Sequence, residues 1–566
     1  MTRHKTLLAA LVASLLFALA GPGPALAAER GGMAATANPH ATRAALAILR
    51  AGGSALDAAI AAEMVLGLVE PQSSGIGGGA FLLYYDQASR AVSAYDGRET
   101  APAAATPELF LGPDGEPLGF FEALVGGRAV GVPGLLRMLE LAHRRHGALP
   151  WADLFQPAIR LARAGFRVSP RLHYLIGRDK YLKDQPAARA YFLLPDGRPK
   201  PVGQVLTNPE YAATLTRIAA AGADAFYQGP IARDIVATVT GHAANPGLLS
   251  LADLAGYQAK RRFPLCRPYR RFRVCGMPPP TSGGATVLEI LGLLEPFAIS
   301  RLAPGSASAV HLIAEASRLA FADRNRYLAD SDFVAVPIRG LLDRSYLKAR
   351  ARRIDPDRAG ARAAPGLPAE RRGGLITGRS PERPSTTHLT IADGAGNVVS
   401  MTASVEYAFG SHLMVRGFLL NNQLTDFSFR PKDATGLVAN RVEPGKRPRS
   451  SMAPTIVLDR DGGFRLGLGS PGGSRIIGYV AATLIAVLDW SQDIQTAIAA
   501  PHFVNRNGPT DLEQGTALEA LAPELEALGH EVRIRPLNSG LHGIERTPAG
   551  WRGGADPRRE GTVGGD

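Results

Sequence analysis

Ser385-Thr386-Thr387-His388-Leu389-Thr390-Ile391-Ala392 and Val398-Val399-Ser400-Met401-Thr402-Ala403-Ser404 flank the loop Asp393-Gly394-Ala395-Gly396-Asn397. Both flanks carry the β-branched and apolar residues of strands, and the glycines and Asx residues between them suit a five-residue hairpin loop. If Ala392 faces Val398, counting back along both strands sets Thr386 opposite Ser404. Side chains alternate with period two, so Thr402, Ser404 and Glu406 share a face, and that face carries Thr386 as well.

A threonine hydroxyl is a weak nucleophile unless a base takes its proton, and a threonine with a free α-amine carries that base on its own backbone. Cleavage between Ser385 and Thr386 would create such an amine. Residues 354–384 are rich in Arg, Ala, Gly and Pro and read as an exposed, mobile connector that can be severed. Attack of the Thr386 hydroxyl on the Ser385 carbonyl would give an ester for water to hydrolyse, with Ser404 orienting the hydroxyl. An ordinary Thr-rich strand would explain the hairpin taken alone.

Other segments change that balance. Gly469-Ser470-Pro471-Gly472-Gly473-Ser474 joins a strand at 464–468 to a helix at 474–488, so the Gly472 and Gly473 amides form a candidate oxyanion nest. Taken alone, the same turn suits a phosphate site or a purely structural role. Asn421-Asn422-Gln423-Leu424-Thr425-Asp426-Phe427 follows an apolar run, and Lys446-Arg447-Pro448-Arg449-Ser450-Ser451-Met452 ends in paired hydroxyls before a buried strand. Polar clusters at strand ends point to function more strongly than a lone hydroxyl.

The 566 residues, 46% hydrophobic and 20% charged, suit one or two globular domains with a large core. Thr2-Arg3-His4-Lys5, the apolar run Leu7 to Ala20 and Ala25-Leu26-Ala27 read as a signal peptide cut after Ala27, hence an exported, periplasmic or secreted protein with no membrane span in its mature form. The net charge of +13 suits weak attraction to anionic surfaces. Arg261, Arg262, Arg267, Arg270, Arg271 and Arg273 read as a solvated hairpin face rather than a nucleic-acid site, since no aromatic-basic or zinc-finger pattern accompanies them. A two-residue turn at Arg270-Arg271 pairs Cys266 with Cys275, a candidate disulfide in an exported protein.

Asn38-Pro39 and Ser54 mark the starts of two helices separated by Gly52-Gly53. Strands at 81–85 and 91–95 precede a mostly helical stretch from 133 to 353, and the chain turns strand-rich again from Thr387. The sum is a mixed architecture of helices and sheets with a boundary just before Thr386.

These motifs, in this order, resemble the γ-glutamyltransferase family of N-terminal nucleophile hydrolases over nearly all of the mature chain. The resemblance is carried by Gly67-Leu68-Val69-Glu70-Pro71-Gln72-Ser73-Ser74-Gly75-Ile76-Gly77-Gly78-Gly79, Asp96-Gly97-Arg98-Glu99, Met277-Pro278-Pro279-Pro280-Thr281-Ser282-Gly283-Gly284, Thr386-Thr387-His388, Leu420-Asn421-Asn422-Gln423, Ser450-Ser451-Met452 and Ser470-Pro471-Gly472-Gly473-Ser474-Arg475. It implies an α+β fold, a four-layer αββα sandwich built jointly by a large chain of residues 28–385 and a small chain of residues 386–566 after self-cleavage. It further implies a γ-glutamyl ester on Thr386, formed from glutathione or other γ-glutamyl amides and passed to water or to an amino-acid or peptide acceptor.

By the same resemblance, Arg98, Ser450 and Ser451 would bind the substrate α-carboxylate. Glu406, Gln423 and Asp426 would bind the α-ammonium, and Gly472 and Gly473 would form the oxyanion hole. Two departures stand out: Ser404 replaces a threonine found in many relatives, and Pro431 to Pro444 looks shorter than the family's Gly-rich lid and lacks a lid tyrosine. A more open site raises the related cephalosporin acylases, acting on glutaryl-type amides, as the alternative reading.

Three weaker signals fall away. Gly75-Ile76-Gly77-Gly78-Gly79-Ala80 follows a helix and precedes a strand, the reverse of a dinucleotide turn. Ser345-Tyr346-Leu347-Lys348 lacks the companion motifs of a β-lactamase. No histidine pairing suggests a metal, no cofactor is expected, and His40, His412 and His542 read as structural or surface groups. A non-catalytic binding protein would use the Arg98, Gln423 and Asp426 pocket alone, and would need neither Thr386 nor the glycine turn.

Overall fold

The computed structural model describes residues 31–383 and 385–565, so the expected signal peptide and its cut after Ala27 lie outside the described residues. Two antiparallel sheets organise the molecule. The first has seven strands in the order Thr562–Gly565, Met33–Thr36, Thr387–Ala392, Val398–Ser404, Gly79–Asp86, Ala91–Gly97 and Lys260–Arg262. The second has six, in the order Gly550–Ala555, His542–Thr547, Phe464–Gly469, Thr455–Leu458, Phe272–Gly276 and Leu265–Tyr269.

Period-two alternation explains why the first sheet is buried on both faces. Ala80, Leu82, Tyr84, Leu389, Ile391, Val399 and Met401 pack with the helices Pro39–Arg50, Ala55–Val69 and Leu135–His146. The intervening Phe81, Leu83, Tyr85, Ala392 and Val398 join Val274, Ile456, Leu466 and Leu468 of the second sheet. Helices Gly283–Leu294, Ala307–Tyr327 and Ile476–Leu488 belong to that second cluster. The Asn38 side chain accepts from the His40 amide, and Ser54 with Asp57 closes a capping box, so both early helices start where their caps stand.

Between the sheets, the face that carries the hairpin's alternate residues is polar. Ser400 Oγ donates to the Leu468 carbonyl at 3.1 Å and Thr390 Oγ1 to the His542 carbonyl at 3.3 Å, each bond crossing from one sheet to the other. His388 lies among them, with Nδ1 2.8 Å from Thr402 Oγ1 and Nε2 3.1 Å from Thr390 Oγ1. Burial, reinforced by nearby His542, holds His388 well below the usual imidazole range, so it is neutral. A Cβ on Gly469 would stand 2.3 Å from the His388 ring, so only glycine lets the second sheet approach this closely.

Three expectations change. The mostly helical stretch 133–353 also holds a small two-stranded sheet, 166–167 with 205–206, and strands 260–262, 265–269 and 272–276, which extend the two main sheets. In that hairpin Cys266 faces Cys275 and the two are disulfide-bonded. The basic cluster there is partly neutralised rather than simply solvated: Arg262 pairs with Asp96 and Asp332, and Arg270 with Asp489. Finally, residues 354–383 of this stretch are tied down by bonds to the body. Gly360 and Gly366 amides donate to Glu315 and Asp323, Ala363 exchanges two hydrogen bonds with Asn507, and Leu375–Ile376 pairs in parallel with Gly436–Val438. A segment without apolar period satisfies its backbone through distant buried polar side chains, which local composition does not reveal.

Candidate active site

The hairpin has the expected register: Ala392 faces Val398 and Thr387 faces Ala403. Thr386 lies one residue beyond the ladder, with Oγ1 2.9 Å from Ser404 Oγ. Ser404 Oγ also accepts from the Glu406 amide at 2.9 Å, which fixes its orientation. Thr386 itself has φ +88°, a conformation that a β-branched residue adopts only at a cost of about 1–3 kcal/mol. Strain is therefore stored at the Ser385-Thr386 junction. On either side of it, the Gly472 amide donates to the Ser385 carbonyl at 3.1 Å, Arg559 Nη1 donates to the Thr386 carbonyl at 3.0 Å, and Ser385 Oγ donates to the Gln72 carbonyl at 2.9 Å.

Arg98, Thr386, Ser404, Glu406, Gln423, Asp426, Ser450, Ser451 and Gly473 all line one cavity. Glu406 reaches it by a different route from the one expected, because the strand ends at Ser404 and Glu406 turns to φ +79°. The fully buried Arg98 donates from Nη2 to Asp426 at 2.5 Å and from Nε to the Pro448 carbonyl at 3.1 Å, whereas its Nη1 makes no hydrogen bond and is ion-paired with Glu99 at 3.7 Å. Gln423 Nε2 donates to Asp426 at 2.9 Å and leaves Oε1 without a partner. An acceptor without a partner and a donor held only by a long ion pair thus point to a ligand with both polarities.

Charge in the cavity is acidic at this end. Burial, with the Asp426 charge added, pushes the Glu406 carboxyl well above its usual range, against hydrogen bonds from Asn422 and the Arg383 amide. Burial raises Asp426 too, and Arg98 pulls it back. Asp426 already has the Arg98 guanidinium, whereas the Glu406 carboxyl, raised by burial and by Asp426, is the group an incoming ammonium would relieve.

Several residues here had no individual signal in the sequence. Glu382, in the connector, binds Ser451 Oγ and forms ion pairs with Arg324 at 2.5 Å and Arg449 at 3.5 Å. With Glu382 and Arg383 in place the cavity keeps only about 20 Å³, room for about one water. Arg449 adjoins the paired serines and was within reach of inspection, whereas Arg324 lies on a helix of unremarkable pattern. The short Pro431–Pro444 stretch carries a small hairpin docked on residues 375–376, and Glu382 and Arg383 of the connector line the cavity. Of the histidines set aside, His412 is buried against Asp179 at 2.8 Å and His542 is buried between the sheets. Among the described residues no cluster suits a metal ion, and no helix is long and apolar enough to cross a membrane.

The sequence profile of gamma-glutamyltranspeptidase matches residues 41–565. The chain belongs to this family. Among its relatives, the glutathione hydrolase proenzyme of Bacillus subtilis (strain 168) is 36% identical, over 94% of this chain and 91% of that protein. The acylase ACY 1 proenzyme of Pseudomonas sp. (strain SE83) is 37% identical, over 93% and 91%. The crystal structure of cephalosporin acylase from Bacillus halodurans superimposes with a TM-score of 0.82 at 28% identity, covering 94% of this chain and 96% of that one. The γ-glutamyltranspeptidase family therefore accounts for the enzyme class and the mixed α/β fold, with hydrolase and acylase relatives at equal distance.

Proposed function

We propose that this protein is an exported, self-cleaving γ-glutamyl hydrolase or transferase that works without a cofactor. Thr386 Oγ1 attacks the Ser385 carbonyl carbon, the C–N bond breaks as the hydroxyl proton passes to the amide nitrogen, and water hydrolyses the resulting ester. The products are a large chain of residues 28–385 and a small chain of residues 386–566, which together complete the αββα sandwich. The new Thr386 amine then takes the proton of its own hydroxyl, Thr386 captures the γ-glutamyl group, and the Gly472 and Gly473 amides stabilise the oxyanion. Water or an acceptor amine releases the acyl group.

The acid-rich corner carries the substrate assignment. Arg98 Nη1 and the Ser450-Ser451 hydroxyls offer donors to an α-carboxylate, while Glu406, Asp426 and Gln423 Oε1 offer acceptors to an α-ammonium. A glutaryl group has the carboxylate and lacks the ammonium, so it would bring no cation to the buried Glu406 carboxyl. The acylase reading rests on the 37% identity to ACY 1.

γ-Glutamyl p-nitroanilide and glutaryl p-nitroanilide differ only by that ammonium and separate the two readings. The cut protein is expected to favour the γ-glutamyl compound by about 10²-fold in kcat/KM, the worth of one to two charge-assisted hydrogen bonds. Equal or reversed preference would assign an acylase. Ser404→Ala is expected to slow both self-cleavage and turnover by about 10–100-fold, since the Thr386 hydroxyl loses its 2.9 Å partner.

A further inference from the structure

The Glu382 carboxylate occupies a built site. Its side chain is 5% exposed and meets Ser451 Oγ and the Arg324 and Arg449 guanidinium groups. Burial would raise its pKa, yet the two arginines and the serine overcome that and hold it at about 2. Arg449 is pushed down to about 9, first by burial and then by the charge of Arg324 beside it. Two buried like charges facing each other call for an anion between them. Among the described residues, Glu382 is the acid paired with both.

Beyond Glu382 lies a second cavity of about 330 Å³, separated from the catalytic one by this carboxylate, by Arg324 and by Arg449. Outside the connector its walls carry Arg324, Arg449, Arg506, Arg533 and Arg535 against a single acid, Asp511. Asp511 is already shared among Arg475, Arg506 and Arg535. Arg506 also donates to Ser474, the residue that follows the Gly472-Gly473 turn, at 2.8 Å. The cationic cavity therefore adjoins the proposed oxyanion donors as well as the Ser451 hydroxyl.

On the reading of this protein as a self-cleaving γ-glutamyl enzyme, the connector end must withdraw, because about 20 Å³ cannot hold a glutamyl group. Withdrawal takes Glu382 from between Arg324 and Arg449. We propose that the vacated Arg324–Arg449 site and the arginine cavity behind it bind a polycarboxylate portion of the substrate, such as an acidic peptide, with Glu382 as its internal stand-in until the chain is cut. The site selects anionic substrates and is closed in the precursor.

The test is binding of tricarballylate, a small tricarboxylate, measured by titration calorimetry on four proteins. The cut wild type is expected to bind it, and cut Arg449→Leu/Arg506→Gln to bind at least about tenfold more weakly. Uncut Thr386→Ala is expected not to bind, and uncut Thr386→Ala/Glu382→Ala to regain binding. Arg506→Gln alone, at a partly exposed position, serves if the double variant fails to fold, and is expected to weaken binding by severalfold. Equal affinity in the cut wild type and the arginine variants, or tight binding by uncut Thr386→Ala, overturns the proposal. Calorimetry needs no turnover, so an enzyme inactive on γ-glutamyl anilides that still binds tricarballylate in this pattern would refute the γ-glutamyl reading and leave the anion site standing.

Discussion

Thr386→Ala is expected to purify as one uncut chain with its fold intact and with γ-glutamyl amide hydrolysis reduced by on the order of 10⁴ or more. The proposed nucleophile of both reactions is the same atom, so a single substitution would remove both. Nothing else in the site replaces it: Ser404 lacks an adjacent α-amine, and Ser385 Oγ is committed to the Gln72 carbonyl. The fold survives because Thr386 Oγ1 makes one hydrogen bond, to Ser404, and an alanine at φ +88° suffers no worse strain than the threonine it replaces. Thr386→Ser keeps the hydroxyl and is expected to cut, at a lower rate. Intact-mass measurement reads the outcome directly, and a Thr386→Ala chain that still separates between Ser385 and Thr386 would remove Thr386 from the mechanism.

Conversely, the strain at Thr386 has a direction. In the uncut chain its φ is locked by the Gly472 amide and by Arg559, which grip the carbonyls on either side of the junction. Once the C–N bond breaks, φ of Thr386 no longer exists as a constraint and the stored energy is released. In the proposed reaction, the same Gly472 amide that grips the Ser385 carbonyl would then meet the carbonyl carried in by a substrate. On the proposed function, precursor and enzyme would use one set of donors twice.

How much of this was legible in the sequence depends on distance along the chain. The Thr386–Ser404 register could be counted because a five-residue loop with glycine and Asx joins strands of unambiguous pattern, and the Cys266–Cys275 pairing followed in the same way from a two-residue turn. Asn38 and Ser54 announced their helices because a cap acts within one turn. Glu406 departed from strict alternation because a backbone turn to positive φ has no marker in a glutamate. Glu382 was invisible for another reason. Its partners Arg324 and Arg449 lie 58 and 67 residues away, and an ion pair made across that separation leaves no periodicity in the chain. The pairing of Met33–Thr36 with Thr562–Gly565, which closes the first sheet across the whole length of the protein, is equally silent.

The oxyanion turn supplies the second large effect. Gly472 has φ +138°, and a Cβ there would stand 2.8 Å from the ring of buried Tyr479. Neither term can relax cheaply, since the buried ring is packed on His502 at 4.7 Å between centroids and the backbone region is nearly closed to L side chains. Gly472→Ala must therefore rotate the peptide whose amide now lies 3.1 Å from the Ser385 carbonyl oxygen. Losing one such donor costs about 10²–10³ in rate. Both self-cleavage and kcat on γ-glutamyl p-nitroanilide are expected to fall by that factor, with KM changed much less, because the donor matters most when charge develops on the oxygen. Arg98→Lys, which disturbs the head-group end and leaves the turn alone, is expected to show the opposite split, raising KM while self-cleavage proceeds. If Gly472→Ala cuts itself at the wild-type rate, the amide is a structural tether and the oxyanion must be held by another group.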